Sequence, residues 1–515
     1  RELLQSQLRQ PLGMNALQPQ LFGGQQIFVE GVGPAQAGGY EFAPLFTSNG
    51  VAVQFDAVGG SGRTFGDQFI FSGLQDAAAF SLGQFHFQTD GFRANNDVNR
   101  NAYSAFVQVG LSPSVRLQAE VRDDRREQGD LSFAFDPSDF SSRLRHKLDL
   151  QSARLGGYFA FDPRSDLVVS AIAGRSKERQ YLRDDASWFF EDRESLQSFE
   201  AQYAYRGSSA QVLAGVSAYH NATTIDESDY GVSNRDTRER SVYAFATFTG
   251  LPAGFVPQLG LSYDTYDRTG RHLADFNPKL GLVWSLPTGT TMRAAAFRTT
   301  KRTFIADQTL QPTQIAGFNQ LYDDLNGARS KFAGLGIDQK FEHGTFAGAQ
   351  VWARDIELPS FAGEPDYVFT ERSAKLYAYH IFSEHVTVTA DYLRERYQRP
   401  AAFTLNEHFT NLDTTFVPVA LRLSSLGNWS ANIAAIGVRQ QIRYLDINDE
   451  TVGGSSRFVV VDASLAYRLP GRAGIVSAEV RNLFDKQFRY QEIDAFASPR
   501  VYPGRLFFAR FSIAL

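Results

Sequence analysis

Cysteine is absent, and only 2 Met occur in 515 residues. The missing thiols exclude disulfide staples and Cys-ligated zinc or iron–sulfur centres, and they suit a compartment where thiols oxidise. No stretch approaches the roughly 18 consecutive apolar residues of a membrane-spanning helix. A large charge of either sign is missing too: the net charge is −5 and the pI about 6.0, so nothing points to nucleic acid as a partner. There is no Gly-x-Ser-x-Gly elbow, no His-Glu-x-x-His, no phosphate loop and no Gly-x-Gly-x-x-Gly between strand and helix. A hydrolase with Ser, His and Asp on separate strands leaves no linear motif, but nothing here suggests one, and the chain is expected not to be an enzyme. The 8 His are scattered, at 86, 146, 220, 272, 343, 380, 385 and 408. Only His380 and His385 lie close together, flanking a short turn where polar residues are ordinary. No metal site and no cofactor are expected.

What the chain does have is 44 Phe, 21 Tyr and 43 Gly. From about Val51 to the C-terminus, segments of roughly 10–14 alternating residues are separated by turns. Val115, Leu117, Ala119 and Val121 alternate with Arg116, Gln118, Glu120 and Arg122. Val461, Ala463, Leu465 and Tyr467 share one face of their segment, with Asp462, Ser464 and Arg468 on the other. In a strand, side chains alternate with period two, so each segment has one apolar and one wet face. A soluble sandwich shows the same pattern with its apolar face inward. Here the segments outnumber any sandwich's strands, the polar face is heavily charged, and connections alternate between short and long. The short ones fall near 111–114, 162–165, 206–209, 251–254, 286–289, 342–344, 383–385, 426–428 and 469–472. The long polar ones are expected at 125–147, 178–193, 222–238, 301–328, 356–371, 398–414, 444–456 and 486–501.

This asymmetry predicts an all-β fold, a transmembrane antiparallel barrel of about 22 strands with short periplasmic turns and long extracellular loops. Residues 50–515 form the barrel, with both ends periplasmic, in the outer membrane of a Gram-negative-type bacterium. Residues 1–49 are expected to be a pre-barrel segment. Its start, Glu2-Leu3-Leu4-Gln5-Ser6-Gln7-Leu8, reads as the end of an amphipathic helix from an upstream region. Charges assigned to the lumen are Arg116, Glu120, Arg122, Asp391, Asp462, Arg468, Glu479, Arg481 and Arg510, either paired across strands or lining a conduit for a hydrated cargo. Acidic loop pairs (Asp123-Asp124, Asp184-Asp185, Asp323-Asp324, and Asp446 with Asp449-Glu450) lack an EF-hand spacing and read as solvated charge. Aromatics expected to form interfacial girdles are Tyr103, Phe106, Tyr203, Tyr205, Tyr243, Phe245, Phe248, Tyr377, Tyr379, Tyr392 and Tyr467. So wide a lumen requires an obstruction. Either the Gly-, Gln- and Pro-rich segment Gln10–Thr47 or the loop Lys301–Arg329 is expected to fold inward.

Arg481-Asn482-Leu483-Phe484-Asp485-Lys486, then Pro499-Arg500-Val501-Tyr502-Pro503-Gly504-Arg505 and the last alternating strand, resemble the final two strands of TonB-dependent receptor barrels. The resemblance implies an insertion signal at Phe507, Phe511, Ile513 and Leu515, read by the barrel assembly machinery, although the family usually ends in Phe or Trp. Such receptors carry a plug and a TonB box ahead of the barrel, and about 50 residues are too few for that plug. Glu2 to Pro11, Leu17-Gln18-Pro19-Gln20-Leu21, Phe80 to Arg93 and Gly129-Asp130-Leu131-Ser132-Phe133 look like a second group, in which a periplasmic tetratricopeptide-repeat domain leads into a receptor-like barrel. That likeness implies an export or translocation barrel, the reading favoured here. The alternatives are a TonB-dependent uptake receptor without its plug, and a surface adhesin or structural barrel acting through its loops. Expected partners are outer-membrane lipids, lipopolysaccharide and a periplasmic or surface protein.

Overall fold

The structure, a computed structural model, describes residues 49–514 apart from 269, 306–307, 321–323, 360–365, 401–408, 446–449 and 494–499. The strands are β1 Gly50–Gly60, β2 Thr64–Gln75, β3 Ala78–Thr89, β4 Val98–Ser112, β5 Val115–Gln128, β6 Leu144–Asp162, β7 Ser165–Leu182 and β8 Asp185–Arg206. They continue as β9 Ala210–Glu227, β10 Gly231–Phe248, β11 Phe255–Arg268, β12 Arg271–Ser285, β13 Thr290–Thr300, β14 Gln314–Ile315, β15 Phe318–Asn319 and β16 Arg329–Lys340. The rest are β17 Thr345–Leu358, β18 Tyr367–Ser383, β19 Val386–Gln398, β20 Phe409–Leu426, β21 Trp429–Leu445, β22 Thr451–Arg468, β23 Gly474–Arg481 and β24 Leu506–Ala514.

All but β14 and β15 form one 22-stranded antiparallel sheet in which each strand pairs with the next in the chain. β1 and β24 close it, from Gln54 opposite Ala514 to Gly60 opposite Phe508. Closure leaves no unpaired edge, as a sheet in hydrocarbon requires. The fold is thus the expected outer-membrane type of barrel. No helix among the described residues is long and apolar enough to cross a membrane, which says nothing about a barrel.

Alternation sets the two faces. On β7, Val168, Ser170 and Ile172 are buried, while Ala171, Ala173, Arg175, Lys177 and Arg179 are exposed. The outward row of β7 runs Leu167, Val169, Ala171, Ala173 and then turns basic. That of β8 runs Tyr205, Tyr203, Ala201, Phe199 and then Gln197, Ser195, Arg193, Glu191. The apolar part is the membrane-facing band, and the charged part stands beyond it.

Connections at one end are short throughout; the other end carries every long one. Two stretches expected to be long loops are strand instead. β7 runs to Leu182 and β8 starts at Asp185, and β9 and β10 meet across Ser228–Tyr230. Polar residues stay extended there because cross-strand polar groups satisfy one another: Lys177 lies 3.3 Å from Glu191, and His220 is hydrogen-bonded to Asp236 at 2.8 Å. The connection between β5 and β6 likewise shrinks to 129–143.

The aromatic girdle expectation also needs correction. Tyr103, Tyr203, Tyr205 and Tyr392 are exposed on the outer face, but Phe106, Tyr243, Phe245 and Tyr377 are buried, and Tyr379 stacks beside Tyr377. Several inward rings lie across a glycine on the neighbouring strand: Tyr243 faces Gly215, Phe245 faces Gly260, and Tyr377 faces Gly348. A Cβ at Gly348 would sit 2.3 Å from the Tyr377 ring. The missing side chain lets the ring lie flat along the wall.

Candidate functional site

The longest connection, 301–328, described apart from 306–307 and 321–323, does not stand away from the barrel. It turns back against the inward faces of strands from β5 to β16. Backbone bonds close its neck: Lys301 N–H donates to the Ala328 carbonyl (2.7 Å), and Gly327 N–H to that of Lys301 (2.9 Å). Within it, β14 and β15 form a minimal hairpin through Ala316 and Gly317, both at positive φ, a conformation glycine adopts without strain.

Polar groups of the wall hold this segment. Glu239 on β10 accepts from Thr303 N–H (2.8 Å) and Thr303 Oγ1 (2.7 Å). Glu200 on β8 accepts from Thr309 Oγ1 (3.0 Å) and Leu310 N–H. Gln202 donates to the Leu310 carbonyl, and Gln258 on β11 accepts from Ala316 N–H (2.7 Å). Arg154 on β6 donates to Gln308 Oε1 (2.6 Å) and also pairs with Glu120 (2.8 Å). Arg302 bonds Ser217 and Gln311 and lies 3.8 Å from Glu200. Glu239, Glu200, Gln202, Arg154 and Arg302 are buried polar groups with partners, the condition for burying them without a large penalty.

Apolar contacts complete the fit. Ile305 packs with Ile172, Leu196 and Tyr219, and Leu310 with Val168. Ile315, Ala316 and Phe318 join Tyr243, Phe297 and Phe332, where Phe297 and Phe332 stack at 4.5 Å. Val168 and Gln258 lie close to the short-turn ends of their strands, so the segment spans most of the lumen's depth.

The charges singled out from sequence fall in separate places. Glu120 lies between Arg122 and Arg154, and Arg116 packs over the Tyr158 ring at 4.0 Å. Asp391 is buried near Lys375. Asp462 accepts from Asn482 N–H (2.7 Å), Glu479 pairs with Arg481 (3.0 Å), and Arg510 lies near Glu479 and Asp56. Arg468 is exposed at the short-turn end of β22. Of these residues Glu120 touches the segment, through Gln308 Nε2 at 3.4 Å. Sequence reasoning missed Arg154, Glu200, Gln202, Glu239 and Gln258. Their polar, every-second-residue spacing was visible, but their partners are more than fifty residues away in the chain. Phe507 is exposed on the outer face of β24, and Phe511 and Ile513 share its parity. Gln10–Thr47, Leu515 and the acidic residues Asp323, Asp446 and Asp449 lie outside the described residues. His380 bonds Thr345 (2.6 Å) and His385 the Ser424 carbonyl (3.1 Å), each a separate local contact. Among the described residues no group of three or more His, Asp or Glu could hold a metal ion.

Comparison with known proteins places this geometry. The solved structure titled copper transporter OprC superposes with a TM-score of 0.69 at 12% identity, covering 91% of this chain and 83% of that one. The FrpB iron transporter from Neisseria meningitidis gives 0.69 at 13%, covering 91% and 82%. The ferric-catecholate import receptor Fiu from E. coli K12 gives 0.64 at 13%, also covering 91% and 82%. At such identities the likeness is one of fold. No curated protein matches the chain. The family model described as "TonB dependent receptor-like, beta-barrel" matches residues 71–357, more than half of the sequence, and the chain therefore belongs to that family of outer-membrane transport barrels.

Proposed function

We propose that this chain is the barrel of an uptake receptor whose lumen is closed at rest by its own segment 301–328. The observation that carries the reading is the anchoring of that segment's backbone, at Thr303 and Leu310, by the inward carboxylates Glu239 and Glu200. Hydrogen bonds of this kind contribute roughly 0.5–1.5 kcal/mol net each, enough for several to hold a segment yet few enough to release it. Family membership supports inward transport of a small ligand, as the neighbours' titles name import and metal transport. The export reading, with an upstream tetratricopeptide-repeat domain, has no support in either comparison. In the uptake reading the short turns face the periplasm and the long connections face outward.

The test is conductance in planar bilayers, with sensitivity of whole cells to a large antibiotic, for the barrel lacking residues 303–319. Deletion is expected to raise conductance roughly tenfold or more, as a barrel of this size is wide when unplugged. Unchanged conductance with correct folding sinks the closure. Direction is tested by mass-mapping the protein upstream of Arg1. A plug with a TonB box supports uptake, and helical repeats of about 34 residues overturn it.

A further inference from the structure

On the outer wall, arginine accumulates in one sector just beyond the membrane-facing band, on the side of the long connections. The outward row of β18 passes from Leu376 and Ala374 to Arg372, and that of β19 from Tyr392 to Arg394 and Arg396. On β21 the row runs Ile433, Ala435, Gly437 and then Arg439, Gln441, Arg443. On β22 it runs Val461, Val459 and then Arg457. All of these arginines are exposed. Among the described residues of β18 to β22, Asp413 on β20 is the one carboxylate sharing their face beyond the band. Glu450 stands at the far tip of β22.

Register sets like charges against each other in this sector. Arg372 lies directly opposite Arg396, and Arg439 directly opposite Arg457. Like charges placed so on one face destabilise a sheet. At the first pair, acids absorb the charge. Arg372 Nη1 lies 2.9 Å from Asp355 Oδ1 on β17, and Asp413 Oδ2 takes the Nη2 groups of Arg394 and Arg396 at 2.7 Å each. The second pair has no such relief: Arg439, Arg443 and Arg457 meet no carboxylate among the described residues. The basic residues on the outward faces of β5 to β8 differ, as Arg125 has Asp123 (3.0 Å), Lys147 has Glu127 (3.1 Å) and Lys177 has Glu191 (3.3 Å).

An anion seated between Arg439 and Arg457 would turn that repulsion into attraction, and guanidinium forks match phosphate oxygens two at a time. Directly below the arginines the wall is apolar and faces hydrocarbon, with Val417, Ile433, Val459 and Leu465 exposed. A soluble polyanion would engage the arginines alone. An acyl lipid with phosphate on its headgroup covers both surfaces, since its charge and its chains meet at the same depth as the row changes character.

We infer that the sector from β18 to β22 binds a phosphorylated glycolipid of the outer leaflet, with a phosphate between Arg439 and Arg457 and acyl chains along the apolar rows below. The inference goes beyond the uptake reading and takes from it only that the long connections face outward. In the test, the purified full chain in a nonionic detergent is titrated with lipid A, the phosphorylated anchor of lipopolysaccharide. The comparison ligands are lipid A with its phosphates removed, phosphatidylglycerol and inorganic polyphosphate. Lipid A is expected to bind saturably, and roughly tenfold or more tighter than its dephosphorylated form. Arg439→Gln combined with Arg457→Gln is expected to abolish that advantage. The same lipid-free double variant is expected to melt no lower than the parent, because facing like charges have been removed. Lys147→Gln combined with Lys177→Gln, which removes two basic residues that already have acidic partners, is expected to change binding by less than about twofold. Equal binding of the dephosphorylated lipid overturns the inference, as does an equal loss in the Lys147 and Lys177 variant. Equally tight polyphosphate makes the ligand a soluble polyanion, and equally tight phosphatidylglycerol removes the choice of leaflet; either result overturns it too. So does a lower melting point in the arginine variant, which shows the pair already neutralised within the barrel. Deletion of 303–319 changes conductance and not this titration, so failure of the closure and failure of the lipid site are told apart.

Discussion

Glu239 is 2% exposed, and Thr303 uses both of its oxygens. Glu239→Ala leaves the Thr303 amide buried without an acceptor, which costs about 1–3 kcal/mol. The segment is expected to leave the wall for part of the time, seen as current flicker in single-barrel recordings that Glu239→Gln reproduces only weakly. A mutant as quiet as the parent argues against a latch at this position. Asp192 lies on β8 beyond the membrane-facing band, opposite Glu178. Burial, with help from the neighbouring Glu194 and Glu178 charges, pushes its carboxyl up to about 7 from 3.8. Between roughly pH 4 and pH 7 the folded barrel therefore holds a proton that the unfolded chain has released, so this residue's contribution to stability falls as pH rises and is flat above that window. Hydrogen exchange in the protruding parts of β7–β9, corrected for intrinsic rates, is expected to be faster at about pH 8 than at about pH 5. Asp192→Asn is expected to remove the difference; a difference that persists in the variant assigns the pH effect elsewhere. A row of acids on one face was legible in the sequence here, but the desolvation that perturbs this one was not.

Among the elements, the wall has been cleared of side chains where the inner segment approaches. A Cβ at Gly281 on β12 would stand 2.6 Å from Ile315 Cγ2 and 3.2 Å from Ala316 Cβ. Gly281→Leu is expected to push the β14–β15 hairpin off the wall, at an overpacking cost of roughly 1–3 kcal/mol. Bilayer conductance is expected to rise, whereas Gly453→Leu, where a Cβ meets nothing within 4 Å, leaves it at the parent level. Equal conductance in the two variants removes the argument for contact at Gly281. The abundance of Phe, Tyr and Gly has an explanation at this scale as well. Rings on one strand lie over glycines on the next, as with Phe80 and Gly73 or Phe87 and Gly66. The composition announced an aromatic, glycine-rich sheet. It did not announce the pairing, because register decides which glycine faces which ring, and a one-residue slip would move every ring to the other face.

For the whole molecule, hydrocarbon replaces water around the apolar band. Leu335 is 62% exposed on the outward face of β16, between Ala294 on β13 and Val351 on β17. Leu335→Arg is expected to destabilise the barrel by roughly 2–4 kcal/mol at mid-membrane depth, read as a lower denaturant midpoint for refolding into lipid vesicles. A change below about 1 kcal/mol would place this face near an interface instead of the membrane interior. The reason lies in the solvent: an outward arginine finds no partner in lipid, whereas inward Arg154 has Glu120 and Gln308.

The sequence alone determined the class of fold, because period-two alternation and turn residues act locally and repeat along the whole chain. It also located most of the short turns and marked the stretch 301–328 as unusual. Tertiary structure decided what alternation does not encode. It extended β7 to β10 into stretches that read as loops, since cross-strand ion pairs stabilise a strand only once register is set. It turned Tyr243, Phe245 and Tyr377 inward, since which face is wet depends on where the barrel closes. It also laid 301–328 along the lumen, held by side chains contributed from many strands, because only a closed barrel brings residues so distant in sequence to face a common interior.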